Sequence, residues 1–176
     1  PTPAVAYLTK HYKADIGAVI SASHNPMEYN GIKFFNSKGF KLADEIELEI
    51  EKYLDDMSLL NEYPTHENIG KRMKVTNPEE AYIEFLKSCV STDFKGMKVV
   101  LDTANGAAYK IAPEVFAQLG AEVVCIGCEP TGTNINANCG STHTKNLEAM
   151  VVEHISLLGL RYAGDTHSPN ATDLRS

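Results

Sequence analysis

The stretch Ile16-Gly17-Ala18-Val19-Ile20-Ser21-Ala22-Ser23-His24-Asn25-Pro26 sets a nearly uncharged, β-branched run directly before a hydroxyl, an imidazole and a turn-forming Asn-Pro pair. Residues 16–20 have the composition of a strand buried on both faces, and loops leaving such strands commonly carry chemistry. Ser23 is therefore expected at the mouth of a sheet. Asn30-Gly31-Ile32-Lys33-Phe34-Phe35 returns the chain as a second strand and places Lys33 ten residues after Ser23. Lys33, Lys38 and Lys41 are expected to supply a local cationic cluster beside the serine loop.

Outward from this loop, Thr2 is expected to cap a helix with Pro3 in its first turn and Val5, Leu8 and Tyr12 on one face. Beyond Phe35, residues 36–39 make a turn. Asp44 then caps a helix whose Ile46, Ile50, Tyr53, Leu54 and Met57 recur at helical spacing, with an acidic first turn that suits the helix dipole. Periodicity disappears between Ser58 and Gly70, so a linker is expected over 58–74, dividing the chain into 1–74 and 75–176.

The second unit opens with a helix at Asn77-Pro78 that carries Ala81, Phe85 and Leu86 on one side. Strand 97–101, helix 108–119, strand 122–126, helix 145–154 and the apolar run 157–160 follow. This β-α-β-α-β order predicts an α/β fold with a mostly parallel sheet covered on both faces. In Asp102-Thr103-Ala104-Asn105-Gly106-Ala107 a strand passes into a helix through small residues. It lacks the spaced glycines of a nucleotide site and reads as a structural turn. Ser141 or Thr142 is the expected cap of the helix near Lys145, and His143 reads as a structural histidine.

With 176 residues and 43% hydrophobic content, the chain has enough apolar matter for a real core. A net charge of -7 argues against a nucleic-acid surface. The sequence has no run of about twenty apolar residues to span a bilayer, and Pro1 to Lys13 does not read as a secretory signal; a cytoplasmic location is expected, with no membrane partner. Cys125 and Cys128 form a Cys-x-x-Cys pair, but no second pair stands at zinc spacing, so reduced thiols are expected for all four cysteines. A Ser-His dipeptide alone carries no catalytic meaning, because neighbours on an extended chain point apart. No Gly-x-Ser-x-Gly elbow surrounds Ser23, which removes the serine-hydrolase reading.

Pro1-Thr2-Pro3-Ala4-Val5, Ser21 to Pro26 and Asn30 to Phe35, continuing through Gly96 to Asn105-Gly106-Ala107 and Leu119-Gly120-Ala121-Glu122-Val123, resemble the α-D-phosphohexomutases. Asn134-Ile135-Asn136 with Cys139-Gly140-Ser141-Thr142-His143 is similar to the phosphoglucosamine mutase branch. The resemblance implies two α/β/α domains of a four-domain enzyme: the later part of domain I with the linker in 1–74, and domain II in 75–176. Domains III and IV have no counterpart in these residues. It implies that a phosphorylated Ser23 gives its phosphoryl group to glucosamine 6-phosphate, that the 1,6-bisphosphate reorients, and that glucosamine 1-phosphate leaves as the serine is rephosphorylated. Lys33 is then the expected general acid/base and a substrate contact. His24 and Asn25 are expected to orient the phosphoryl oxygens or hold the loop, with Asn25 also touching substrate. Glucosamine 1,6-bisphosphate or glucose 1,6-bisphosphate is the implied activator, and a small phosphosugar the implied partner. The alternatives are a phosphoglucomutase or phosphomannomutase, or a non-catalytic binding module.

The family's magnesium segment, Asp-Gly-Asp-x-Asp-Arg, falls on residues 163–168 when aligned through Leu158-Gly159-Leu160 and Tyr162. Here it reads Ala163, Gly164, Asp165, Thr166, His167 and Ser168, which leaves Ser23 and Asp165 as the expected Mg2+ ligands. Mg2+ favours near-octahedral oxygen ligation, so this is a poor site. The tail after Tyr162 lacks apolar periodicity and is expected to be disordered or foreign to the fold, as from a sequence error or partial read. The isolated chain is expected to be inactive as a mutase.

Overall fold

The computed structural model describes residues 1–21, 23–60, 63–154, 156, 158–162 and, for the backbone alone, 170–172. Its elements are α1 (Thr2–His11), β1 (Ile16–Ile20), β2 (Ile32–Asn36), α2 (Asp44–Asp55), α3 (Pro78–Ser88), β3 (Lys98–Asp102), α4 (Ile111–Gln118), β4 (Glu122–Ile126), α5 (Lys145–Glu153), β5 (Leu158–Arg161) and β6 (Asn170–Thr172). Short 3-10 turns occupy Met57–Leu59, His66–Asn68 and Gly140–Thr142.

Strands β1 and β2 form a two-stranded antiparallel ribbon in which Val19 pairs with Lys33 and Ile16 with Asn36. Helix α1 lies against β1 so closely that a Cβ at Gly17 would overlap Thr9 Oγ1, and Thr9 turns that hydroxyl inward to donate to Val5 O at 2.7 Å. The strand is not buried on both faces as expected: it has one strand neighbour and one covering helix, so Ile16 and Ile20 are 51% and 74% exposed. The cap of α1 is Pro1 rather than Thr2. Its buried residues are Thr2, Ala4 and Thr9, not Val5, Leu8 and Tyr12, because the helix is wedged between β1 and a second packing partner, α3, which receives Ala4 and Tyr7.

Helix α2 begins after Ala43, with Asp44 as its first residue and no side-chain cap. The Asp44 carboxylate instead accepts from Lys41 Nζ at 2.9 Å, and Glu47 lies 3.1 Å from the same ammonium. These two carboxylates hold the Lys41 pKa above its usual value. No residue of α2 is buried, and its apolar stripe, including Ile46 and Leu54, faces outward.

The second sheet has the order β4-β3-β5-β6, with β3 parallel to both β4 and β5 and β6 antiparallel on the edge. Period-two alternation sends Val99 and Leu101 toward α4, with Ala108, Ala112 and Leu160, and Val100 toward α5, with Leu147 and Val151. All three β3 residues are fully buried. The two crossovers thus cover opposite faces, which is the doubly covered parallel sheet that the element order predicts. Helix α3 buries Tyr82 and Ile83, with the expected Leu86 packed partly buried against them, while Ala81 is half-buried and Phe85 exposed, since its inner face meets α1 as well as α4; Phe85 stacks on Tyr7 with ring centroids 4.1 Å apart. A core of Ala4, Tyr82, Ile83, Ile111 and Val115 joins the ribbon's helix to the second sheet.

Three local boundaries differ from expectation. Helix α4 starts at Ile111 because residues 107–110 form turns. Helix α5 starts after Thr144 without a side-chain cap, as Ser141 and Thr142 are taken up in a 3-10 turn. The tail, expected to be disordered, pairs residues 170–172 with β5, whose outer edge would otherwise present unpaired backbone groups.

Tyr162, directly after β5, packs beside the sheet core near Tyr82. Burial, with the Tyr82 hydroxyl second, pushes its pKa from 10.0 up to about 12. The folded-state value lies above the unfolded one, so this contribution to stability is fully present below pH 10.0 and is lost as pH rises through about 12. Tyr162→Phe should flatten the alkaline fall in urea midpoint across that window; an unchanged slope would contradict the assignment. The exposed Ile20, Ile32 and Phe40 of the ribbon and Leu54 of α2 predict association of the isolated chain. Sedimentation velocity should show mass rising with concentration, and a concentration-independent monomer would refute this.

Candidate active site

The serine loop leaves β1 through one last rung, Ser21 N–H to Gly31 O at 2.9 Å. Ser23 then takes a left-handed conformation, φ 59°, with its N–H donating to Ser21 Oγ at 3.1 Å. A turn closed by Tyr29 N–H on Pro26 O, 3.1 Å, brings the chain back to β2.

Ser23 and Asn25 line a cleft of about 450 Å³. Its floor comes from Val5 of α1 and Val19 of β1, and its far wall from Asn105, Gly106, Pro130 and Ile135. Those wall residues lie in the loops that leave the carboxyl ends of β3 and β4, where parallel sheets commonly bind ligands. The structure thus brings Ser23 and Asn25 together in one cavity. His24, exposed in the same loop, is not among its lining residues. Half-buried Lys33 is not among them either, but it is the cross-strand partner of the cleft-lining Val19 and shares its face of the ribbon.

The expected lysine cluster is not formed. Antiparallel pairing carries the turn after β2 to the opposite end of the ribbon, so Lys38 lies with Asn36, the partner of Ile16, about 15 Å of strand from the serine loop. Lys41 is engaged by Asp44 and Glu47.

The far wall is organised by Asp102, which is fully buried at the end of β3. Its Oδ1 accepts from Ala104 N–H at 2.9 Å and its Oδ2 from Gly140 N–H at 2.7 Å. One carboxylate therefore ties the loop after β3 to the loop after β4. Ala104 and Asn105 adopt φ 55° and 48°, and Asn105 ties the same loops again, donating to Asn134 O at 3.3 Å and accepting from Glu129 N–H at 3.1 Å. A Cβ at Gly127, φ 59°, would stand 2.8 Å from Asp102 Oδ1, so this position too is closed to larger residues. The Asp102-to-Ala107 segment is a turn, but not only a structural one, since Asn105, Gly106 and Ala107 also line the cleft.

Asn136, next to the cleft-lining Ile135, joins this wall to the serine loop. Its N–H donates to Ala104 O at 2.9 Å, and its Nδ2 donates to Asn25 O at 3.0 Å and Ser23 O at 3.5 Å. Neither Asp102 nor Asn136 was singled out for the site by sequence reasoning. The signal for Asn136 was present in Asn134-Ile135-Asn136, since asparagine is the residue that tolerates left-handed turns while offering a donor.

The thiols also differ from expectation. Cys125 and Cys128 form a disulfide with Cα atoms 6.2 Å apart, because the left-handed Gly127 folds the loop back over the end of β4. Cys89 and Cys139 are free. Burial, and then the charge of Asp102, pushes the Cys139 thiol above its ordinary pKa.

Asp165 lies outside the described residues. Among the described residues no three His, Cys, Asp or Glu side chains come together to hold a metal ion, so the residues on view do not form a Mg2+ site. No described helix is long and apolar enough to cross a membrane.

Residues 1–60 match the family model described as phosphoglucomutase/phosphomannomutase, alpha/beta/alpha domain I, and residues 80–160 match its domain II. The chain belongs to the phosphohexomutase family. It is 59% identical over 165 residues to the phosphoglucosamine mutase of Clostridioides difficile, which covers 94% of this chain and 37% of that protein. The phosphoglucosamine mutase of Acetivibrio thermocellus is 51% identical over 173 residues, 98% of this chain and 38% of that protein; this match runs past Tyr162. The chain thus spans somewhat over a third of these phosphohexomutases. Among solved structures, a putative phosphomannomutase from Thermus thermophilus shares the fold with a TM-score of 0.73 at 23% identity, over 98% of this chain and 39% of that one. So does the Aspergillus fumigatus N-acetylphosphoglucosamine mutase in complex with GlcNAc-6P and magnesium, with a TM-score of 0.58 at 18% identity, over 98% and 47%.

Asp102→Ala should leave two buried N–H groups without acceptors, at roughly 1–3 kcal/mol each. The expected loss is about 2–6 kcal/mol in urea unfolding; a loss below about 1 kcal/mol would show that the clamp is not holding the wall.

Proposed function

We propose that this chain is the catalytic-serine part of an enzyme that interconverts glucosamine 6-phosphate and glucosamine 1-phosphate in the cytoplasm. In this reading residues 1–74 are the later part of domain I with its linker, and 75–176 are domain II. Domains III and IV of the family would complete the cleft. The observation that carries the reading is the position of Ser23, which lines a cavity shared between the ribbon and the carboxyl ends of β3 and β4. The 59% and 51% identity to phosphoglucosamine mutases supports the sugar, with glucose or mannose phosphates as the alternative substrates.

Ser23 Oγ is the phosphoryl carrier. In the forward half-reaction the P–O bond to Ser23 breaks as a P–O bond to the sugar hydroxyl forms. The hydroxyl proton passes to a base, and Ser23 Oγ regains a proton. Lys33 is the proposed group that takes the first proton and supplies the second, since its position shares the face of the cleft-lining Val19. Asn25 orients the sugar phosphate from the same loop. His24 sits beside Ser23 on the exposed side, where it can meet phosphoryl oxygens from outside the cavity. Most of the rate in such a transfer comes from positioning and charge neutralisation. Magnesium would neutralise phosphoryl charge when bound, with Ser23 and Asp165 as its proposed ligands here; the described residues alone do not fit it, and no step above depends on it. A 1,6-bisphosphate of glucosamine or glucose would restore the phosphorylated serine.

In the full-length protein carrying these residues, Ser23→Ala should reduce mutase turnover to background and remove the phosphoryl group from the peptide containing residue 23 by mass spectrometry. Turnover at the parental rate in that variant would sink the carrier role. Phosphosugar binding without turnover or serine phosphorylation in the parent protein would point instead to a metal-poor binding module, which the departures at Ala163, His167 and Ser168 favour. The 176-residue chain alone should show no turnover.

A further inference from the structure

The serine loop touches the second sheet through an unusual contact. Asn136 Nδ2 donates to Asn25 O at 3.0 Å and, more weakly, to Ser23 O at 3.5 Å, across 111 and 113 residues of chain. Both acceptors are backbone carbonyls, one on each side of His24. The donor is itself fixed: Asn136 has φ 57°, its N–H is spent on Ala104 O at 2.9 Å, and Ala104 N–H is held by the buried Asp102 carboxylate at 2.9 Å. An unbroken path of hydrogen bonds therefore runs from the core of the parallel sheet to the peptide carbonyl of Ser23.

We propose that Asn136 is a positioning residue for phosphoryl transfer, setting the direction of Ser23 Oγ through the backbone of its loop; this rests on the reading of Ser23 as the phosphoryl carrier. Ser23 is a non-glycine residue in the left-handed region, φ 59°, a conformation that surrounding contacts must hold. Among the described residues of its own loop, Ser23 is anchored by the bond from its N–H to Ser21 Oγ, which bears on φ. Holding the Ser23 carbonyl bears on ψ. With both torsions restrained, the Cα–Cβ bond has one direction, and side-chain rotation alone remains for Oγ. A ribbon of two strands is too weak to impose this by itself.

Two substitutions separate the side chain from the turn. Asn136→Asp keeps shape and left-handed tolerance but replaces the amide donor with an acceptor facing two carbonyls. Asn136→Gly keeps the backbone conformation at no steric cost and removes the side chain. Both are made in the full-length protein, with Ser23→Ala alongside. Hydrogen exchange should rise at residues 21–31 in both variants and stay unchanged in α5. Turnover number should fall about 10–100-fold, with KM for the sugar phosphate unchanged, because a displacement of about 1 Å at a reacting atom is worth that much.

Parental exchange at 21–31 in either variant overturns the proposal. So does a full turnover number in Asn136→Gly, which would assign any loss in Asn136→Asp to the introduced charge alone. A rise in KM at constant turnover number would move the role to substrate binding and likewise overturn it. Parental turnover in Ser23→Ala would refute the carrier reading instead, and the exchange measurement, which needs no turnover, would still report whether Asn136 holds the loop.

Discussion

The structure depends most on one carboxylate. Asp102 ends the fully buried strand β3 and spends both oxygens on backbone N–H groups from two different loops, at Ala104 and Gly140. Its own backbone carbonyl accepts from Tyr162 N–H at 2.8 Å, so the chain leaving β5 is tied to the same residue. A buried anion without donors would be costly; here the donors are the backbone groups whose position matters. Loops that are individually irregular become a wall because they share an acceptor. The left-handed Ala104 is held by such an over-determined setting, while Asn105 and Asn136, also left-handed, are of the residue type that tolerates it.

Much of this was legible in the sequence, for physical reasons that can be named. Residues 16–20 and 122–126 are strands at the expected bounds, since short β-branched runs between turn residues have few other uses. The doubly covered sheet followed from element order alone, because parallel neighbours require crossovers. What failed was what depends on partners distant in the chain. The face of α1 that is buried could not be known without α3, and Lys38 could not be placed until the antiparallel register carried its turn away from Ser23. Caps at Thr2 and Asp44 shifted by one residue, a distance at which local pattern has little resolving power. At the site, Ser23 and Asn25 were readable from their own loop, whereas Asp102 and Asn136 act on partners up to 113 residues away.

The order β4-β3-β5 places the reversal of crossover direction between β3 and β5, and in open α/β sheets the crevice at such a reversal is where ligands bind. The loops after β3 and β4 supply Asn105, Gly106, Pro130 and Ile135 to the cleft, which therefore lies on the β4 side of β3, while Tyr162, directly after β5, donates its N–H to the Asp102 carbonyl on the other side.

The ribbon side of the cleft has a different origin. Helix α1 supplies Val5 to the floor, packs on β1 through the Gly17 contact, and inserts Ala4 and Tyr7 among Tyr82, Ile83 and Ile111. The width of the cavity is therefore set by the apolar packing of α1 against α3 and α4, where a change of one methylene is felt. Its angular definition is set by hydrogen bonds at the rim, through Asn136. Packing fixes how far the serine stands from the wall, and polar contacts fix which way it faces.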